Sequence, residues 1–127
     1  MISEEKMYHE FRKEIDNYAF PILMAWAKQT GCYRYIMYNG EVVGFLMVID
    51  KYIEGIYVEP EYRRKGLARK AILDYIKEGN DVEKLHIVRS NKVADRFWHS
   101  IFELHEIDRN RCDFLYCVGK VKEHKDD

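Results

Sequence analysis

Between two runs of strand-forming residues stands the dipeptide Asn39-Gly40. Asn-Gly readily takes the positive φ that a type I′ turn needs at both central positions, and the twist of that turn matches the strands it joins. Residues 33 to 38 and 41 to 49 on either side are rich in aromatic and β-branched side chains, so they are expected to close on each other as a hairpin. A third run, 52 to 58, follows and ends before Pro60. The middle of the chain is thereby committed to an antiparallel meander.

After Pro60 the apolar period changes from two to 3.6. Over 66 to 78, Leu67, Ala68, Ala71, Ile72, Tyr75 and Ile76 line one helix face, with Arg69, Lys70, Asp74, Lys77 and Glu78 opposite and Gly79 as the stop. Residues 85 to 89 read as a short strand. Residues 91 to 103 read as a second amphipathic helix, through Val93, Ala94, Phe97, Trp98, Ile101 and Phe102. Two closing strands, 104 to 109 and 113 to 119, hinge at Arg109-Asn110. Ahead of the meander, Met7, Phe11 and Ile15 recur every four residues after Ser3 and predict a helix over 4 to 18. Pro21 suits the first turn of another helix, reaching about Gln29 before Gly31, or a kink in one continuous helix. An antiparallel meander followed by strand-helix-strand-helix means a mixed sheet covered by helices, an α/β (α+β) layered fold.

At 127 residues the chain is expected to form one domain: a helical part over 1–31, a core over 33–118 and a polar tail over 119–127. An apolar share of 47% beside 34% charged residues argues for a folded chain. Twenty-one Lys and Arg against 22 Asp and Glu leave a net charge of -1, which excludes a whole-molecule basic field for nucleic acid. The longest apolar run, 19 to 27, contains Pro21 and is far short of the ~20 residues a membrane span needs. The first residues, MISEEKMYHE, lack the layout of a secretory signal, so a cytoplasmic protein without membrane partners is expected. Cys32, Cys112 and Cys117 form no CxxC pair and the His residues no HxxxH pair, so no metal is expected.

Chemistry concentrates in residues 53 to 72, IEGIYVEPEYRRKGLARKAI. A strand ends at Pro60, and a basic loop leads through Gly66 into a helix. The first-turn amides of that helix are donors without internal acceptors, and its dipole adds partial positive charge. Gly66 lets backbone approach a ligand, Leu67 anchors the helix, and Arg63, Arg64 and Lys65 add full charges. Together these make a seat for a pyrophosphate. Neither GxxxxGK[ST] nor GxGxxG is present.

The pattern Val58-x-Pro60-x-Tyr62-Arg63-x-x-Gly66-x-Ala68 resembles motif A of the Gcn5-related N-acetyltransferases (GNAT), whose core signature is Arg/Gln-x-x-Gly-x-Gly/Ala. Upstream, Gly44-Phe45 after Glu41-Val42-Val43 is similar to the family's strand. Downstream, Asn91-x-x-Ala94-x-x-Phe97-Trp98 looks like its motif B. The resemblance covers roughly residues 33 to 118. It implies a splayed parallel strand pair at 52 to 58 and 85 to 89, and acetyl-CoA as co-substrate. Tyr57 and Val58 would hold the pantetheine arm, the amides from 63 to 68 would hold the pyrophosphate, and Asn91 would meet the pantetheine side. The acceptor would be an amine, on a small molecule or a protein.

Direct acyl transfer requires a base for the protonated amine, and Glu54 is the carboxylate nearest the expected reaction centre, with Glu59 next. A backbone amide can hold the oxyanion. Trp98 stands where the family commonly has a tyrosine that protonates the departing thiolate, so Tyr116 or water would take that role. Two other classes remain on the sequence: a module of the same fold that binds acyl-CoA or a protein partner without turnover, and a small nucleic-acid binder using Arg63, Arg64, Lys65, Arg69 and Lys70. His99 and His105 have no partner at a useful spacing, and Cys117 reads as a small hydrophobe. The closing strands, with Phe114 and Tyr116, offer an edge compatible with a monomer or a homodimer.

Overall fold

Three strands form with the bounds that the sequence predicts: β1 (Tyr33–Tyr38), β2 (Glu41–Ile49) and β3 (Tyr52–Val58), paired antiparallel in chain order. The computed structural model describes residues 33–122, together with Lys6, Ala25, Lys28 and Gln29. The helices expected over 4 to 18 and on to Gln29, and the last five residues of the polar tail, lie outside the described residues. The chain divides into two compact units, Met1–Asn80 and Asp81–Asp127.

In the first unit Asn39 and Gly40 take φ of 50° and 80°, the type I′ geometry that their chemistry favours. The turn from β2 to β3 has the same handedness without a glycine, with φ of 49° at Asp50 and 66° at Lys51. Two residues are inserted into the ladders. The register skips Val43 between the pairs Ile36–Gly44 and Met37–Val42, and skips Glu54 between Met47–Gly55 and Val48–Ile53. Each insertion is a β-bulge that bends its strand and re-aims a side chain.

Helix α1 (Leu67–Lys77) packs on β1 and β3. Its Leu67, Ala68 and Ala71 lie against buried Ile36, Val43 and Val58, flanked by Tyr38, Ile56 and Tyr62. This is the apolar stripe read from the sequence, turned onto one face of the meander. At its far end Arg34 donates both guanidinium nitrogens to Glu78, at 2.6 and 3.0 Å, and lies 4.8 Å over the Tyr75 ring. That pair is exposed and screened by solvent, so the burial of Ile72 and Tyr75 does more to hold the helix.

In the second unit β6 (Asp113–Val121) lies between β4 (Lys84–Val88) and β5 (Phe102–Arg109), antiparallel to both. Helix α2 (Lys92–Ile101) packs on β4 and β5. Leu85, Ile87, Trp98, Ile101 and Phe102 are buried. Strand β4 lies one residue before the expected 85 to 89, α2 starts one residue after 91, and two boundaries differ by more. Phe102 ends the helix instead of extending it, with φ −122° and ψ 150°, and it begins β5. Apolar period cannot separate these states, because Phe102 is buried in the strand as it would be in the helix. Strand β6 continues to Val121, two residues beyond 119 and into the polar stretch, because Val121 pairs with Phe102 and the Lys122 amide donates to the Ile101 carbonyl at 2.7 Å. The β5–β6 turn is built on Asn110, whose Oδ1 accepts from the amides of Cys112 at 2.7 Å and Asp113 at 2.9 Å. Largely antiparallel strands with a helix packed on each group are the mixed α/β fold that the element order predicts.

Candidate active site

The site in the first unit begins where β3 ends. The Glu59 amide donates to the Val43 carbonyl at 2.8 Å, across the Gly44–Val58 pair. In an antiparallel ladder this makes Gly44–Val58 a pair without mutual hydrogen bonds, so the Val58 N–H and C=O point away from β2. The peptide groups of Tyr57, one step along, face β2. Of the two residues expected at the pantetheine arm, Val58 therefore offers backbone donors and acceptors on its outer side, and Tyr57 contributes a buried ring. The Val58 carbonyl accepts from Arg63 Nε at 2.7 Å, and the Arg63 guanidinium lies 5.4 Å from the Tyr57 ring centroid.

The turn follows from its sequence. Pro60 starts a single 3-10 turn (Pro60–Tyr62), in which the Tyr62 amide donates to the Glu59 carbonyl at 2.9 Å and the Arg63 amide to the Pro60 carbonyl at 3.3 Å. Arg64 and Gly66 then both take positive φ, 65° and 74°. Gly66 is the N-cap of α1, and its carbonyl accepts from the Lys70 amide at 3.0 Å. The Gly66 N-cap offers no side chain to cap this helix. Among the described residues the amides of Arg64, Lys65, Gly66, Leu67 and Ala68 have no hydrogen-bond acceptor. Among the described residues a Cβ at Gly66 would meet nothing within 4 Å, so the glycine serves the backbone angle. Leu67 and Ala68 pin the same turn to the Ile36–Val43–Val58 cluster. The result is an open row of amides at the positive end of a helix, beside Arg64 and Lys65, an arrangement suited to a doubly charged anion.

Glu54 is the bulged residue of β3 and half-buried. Glu59 is 3% exposed, the buried carboxylate among the described core residues, with its amide held by the Val43 carbonyl of β2 and its carbonyl held in the turn by the Tyr62 amide. Tyr62 is hydrogen-bonded to Glu41; burial first, then the charges of Glu41 and Glu61, raise its phenol above the ordinary value.

The second unit holds the remaining residues. Asn91 is the N-cap of α2, where its Oδ1 accepts from the Ala94 amide at 2.9 Å. Tyr116 stands on β6 between Leu85 and Glu106. Burial raises its phenol pKa, the charges of Asp95 and Glu106 raise it further, and Arg109 opposes them. Trp98 is 6% exposed and stacked on Phe102 at 6.3 Å, so it is a packing residue. His99 has no expected partner from the sequence. In the structure its Nε2 lies 3.4 Å from Asp95 Oδ1, and its ring stands edge-on to Tyr116 at 5.4 Å. The spacing of four residues on one helix was the available signal. The bulge at Glu54 had none. Among the described residues no group of three His, Cys, Asp or Glu can hold a metal, and no helix is long and apolar enough to cross a membrane.

Residues 3–102 match the family described as Acetyltransferase (GNAT) family, a span that runs through both units. Among solved structures, a GNAT-family acetyltransferase from Bacillus cereus is 17% identical, with 95% of each chain covered and a TM-score of 0.61. An N-acetyltransferase from Staphylococcus aureus is 12% identical over 90% of this chain and 92% of that one, at 0.61. Naa50 of Arabidopsis thaliana, solved with the bisubstrate analogue CoA-Ac-MVNAL, is 20% identical over 97% of this chain and 95% of that one, at 0.55. At these identities the likeness is one of fold. No curated protein matches the sequence. With the family matched over most of its length and the fold shared, the chain belongs to the acetyltransferase (GNAT) family, whose chemistry is acyl transfer.

Proposed function

We propose that the protein transfers an acetyl group from acetyl-CoA to an amine, on a small molecule or a protein, by direct attack of the amine on the thioester. The observation that carries this reading is the row of five amides without acceptors, from Arg64 to Ala68, at the positive end of α1. A diphosphate there exchanges hydration for fixed donors that the fold has already aligned. The outward peptide groups of Val58 are suited to an amide of the pantetheine arm, paired as another strand would be. Arg63 and the Tyr57 ring hold that strand end in shape, and Asn91 is the matching position that opens α2.

Acetyl-CoA supplies an activated acyl group as a thioester. Glu54 takes a proton from the amine, since an ammonium with a pKa of about 10 is not nucleophilic at neutral pH. The bulge aims this carboxylate off the regular alternation of β3. Tyr116, whose phenol is held protonated, donates to the departing thiolate. A thiol pKa of about 8.5 makes that demand modest. The Arabidopsis Naa50 complex supports a CoA-linked acceptor amine by analogy of fold. The protein works as a single cytoplasmic domain, monomeric or homodimeric, without metal, membrane or nucleic acid. Packing of Trp98 against Phe102 favours a second reading, in which the fold binds acyl-CoA without turnover.

Thermal unfolding with CoA and thiol release from acetyl-CoA with a panel of amines test the two. A hundredfold excess of ligand over its dissociation constant should stabilise the fold by ~2.7 kcal/mol. Thiol release that depends on an amine selects the enzyme; stabilisation without release selects the module. Gly66→Glu strains the positive φ of the turn and sets a carboxylate among the amides, so it should abolish CoA binding. Unaltered binding would remove the diphosphate from this turn. Glu54→Gln turning over like the unaltered protein from pH 6 to 9 would remove Glu54 as the base.

A further inference from the structure

The phosphate-facing turn carries more cations than a diphosphate requires. Its five amides and the α1 dipole already meet two negative charges. Arg63 is turned back onto the Val58 carbonyl and the Tyr57 ring. Lys70 is held by Asp74 at 2.6 Å, and Arg69 makes an interaction of its own. Arg64 and Lys65 remain, both exposed and neither with a carboxylate partner among the described residues.

Each of the two is held in a specific way. Arg64 keeps a φ of 65°, a left-handed conformation that disfavours any residue with a Cβ, so a long cation stands where glycine would be unstrained. The Lys65 ammonium lies 5.5 Å from the ring centroid of Tyr38, which stands edge-on to Tyr62 at 5.7 Å. Both rings pack on the Ile36–Val43–Val58 cluster, so the platform beneath Lys65 is part of the core. Glu41 and Glu61 both act on Tyr62. Two cations thus flank the amide row, one on the strained turn and one on a fixed aromatic ring.

Resting on the acyl-CoA reading above, we propose that Arg64 and Lys65 bind the 3′-phosphomonoester on the ribose of CoA and make the protein select CoA over its 3′-dephospho form. A phosphomonoester carries up to two charges and three acceptor oxygens, which suits one guanidinium and one ammonium. The diphosphate, common to both ligands, is left to the amides.

Calorimetry with CoA and 3′-dephospho-CoA, at low and at physiological salt, tests the assignment. The unaltered protein should bind CoA roughly tenfold more tightly, by charge-assisted hydrogen bonds to the extra phosphate. Added salt should narrow the ratio, since exposed charges are screened. In the double variant Arg64→Gly, Lys65→Gln the two ligands should bind within about twofold of each other, those bonds being gone. Glycine fits the positive φ and both positions are exposed, so the variant should keep the circular dichroism of the parent. Equal affinities in the unaltered protein, or a preference that survives in the double variant, overturn this assignment alone. Failure of both ligands to bind overturns the cofactor reading and this assignment with it.

Discussion

The Arg63 guanidinium donates from Nε to the Val58 carbonyl at 2.7 Å, tying the first residue after the 3-10 turn to the last residue of β3. An arginine in this position reads from sequence as a phosphate ligand. Here its Nε is engaged by the strand end, which it braces. Arg63→Ala should lower stability by about 1–2 kcal/mol, the range for a half-buried hydrogen bond from a charged donor. CoA affinity should fall with it, as calorimetry would register. Arg63→Lys should recover little of either, because a lysine lacks the planar fork that lies over Tyr57.

Gly44 faces β3 so closely that a Cβ there would lie 2.0 Å from the Tyr57 carbonyl oxygen. The obstacle is backbone, which cannot swing aside as a side chain tip would. Gly44→Ala should therefore destabilise the protein by roughly 1–3 kcal/mol or more, as overpacking does. Urea unfolding checks this, and a variant as stable as the parent would contradict the close approach.

Lys51 holds φ 66° in the β2–β3 turn, with Asp50 at 49° before it. The other type I′ turn of the meander uses Asn39-Gly40. Lys51→Gly should raise stability by about 0.5–1 kcal/mol, the relief of left-handed strain exceeding the added freedom of the unfolded chain. The midpoint of thermal unfolding should rise.

Tyr116 binds its proton more tightly in the folded state, since burial and the negative Asp95 and Glu106 raise its pKa above 10.0. A raised pKa contributes stability that is fully present below the unfolded value. It is lost as pH rises through the folded value, so the window lies from pH 10 upward. Stability of Tyr116→Phe should fall less steeply with alkaline pH than that of the parent, read by chemical unfolding at successive pH values. With acetyl-CoA and a working acceptor, turnover of the same variant should drop about a hundredfold if the phenol supplies the thiolate proton.

Much of the architecture was legible locally. Strands β1 to β3 follow from β-branched and aromatic runs cut by Asn39-Gly40 and Pro60, because turn chemistry and strand period act over a few residues. The amide row was legible in part: the helix start near Gly66 follows from the apolar period, which does not give the left-handed φ of that glycine. Tertiary structure decided what depends on register and on partners distant in sequence. Glu54 becomes a bulge only because Met47 pairs with Gly55 while Val48 pairs with Ile53. Phe102 joins a strand because Val121 pairs with it, and β6 outruns the polar composition for the same reason. The Arg63 side chain meets the Val58 carbonyl because the ladder aims that carbonyl outward. Residue type sets the backbone angles that a short segment prefers, whereas the partner of each side chain is set by which strand the folded chain brings beside it.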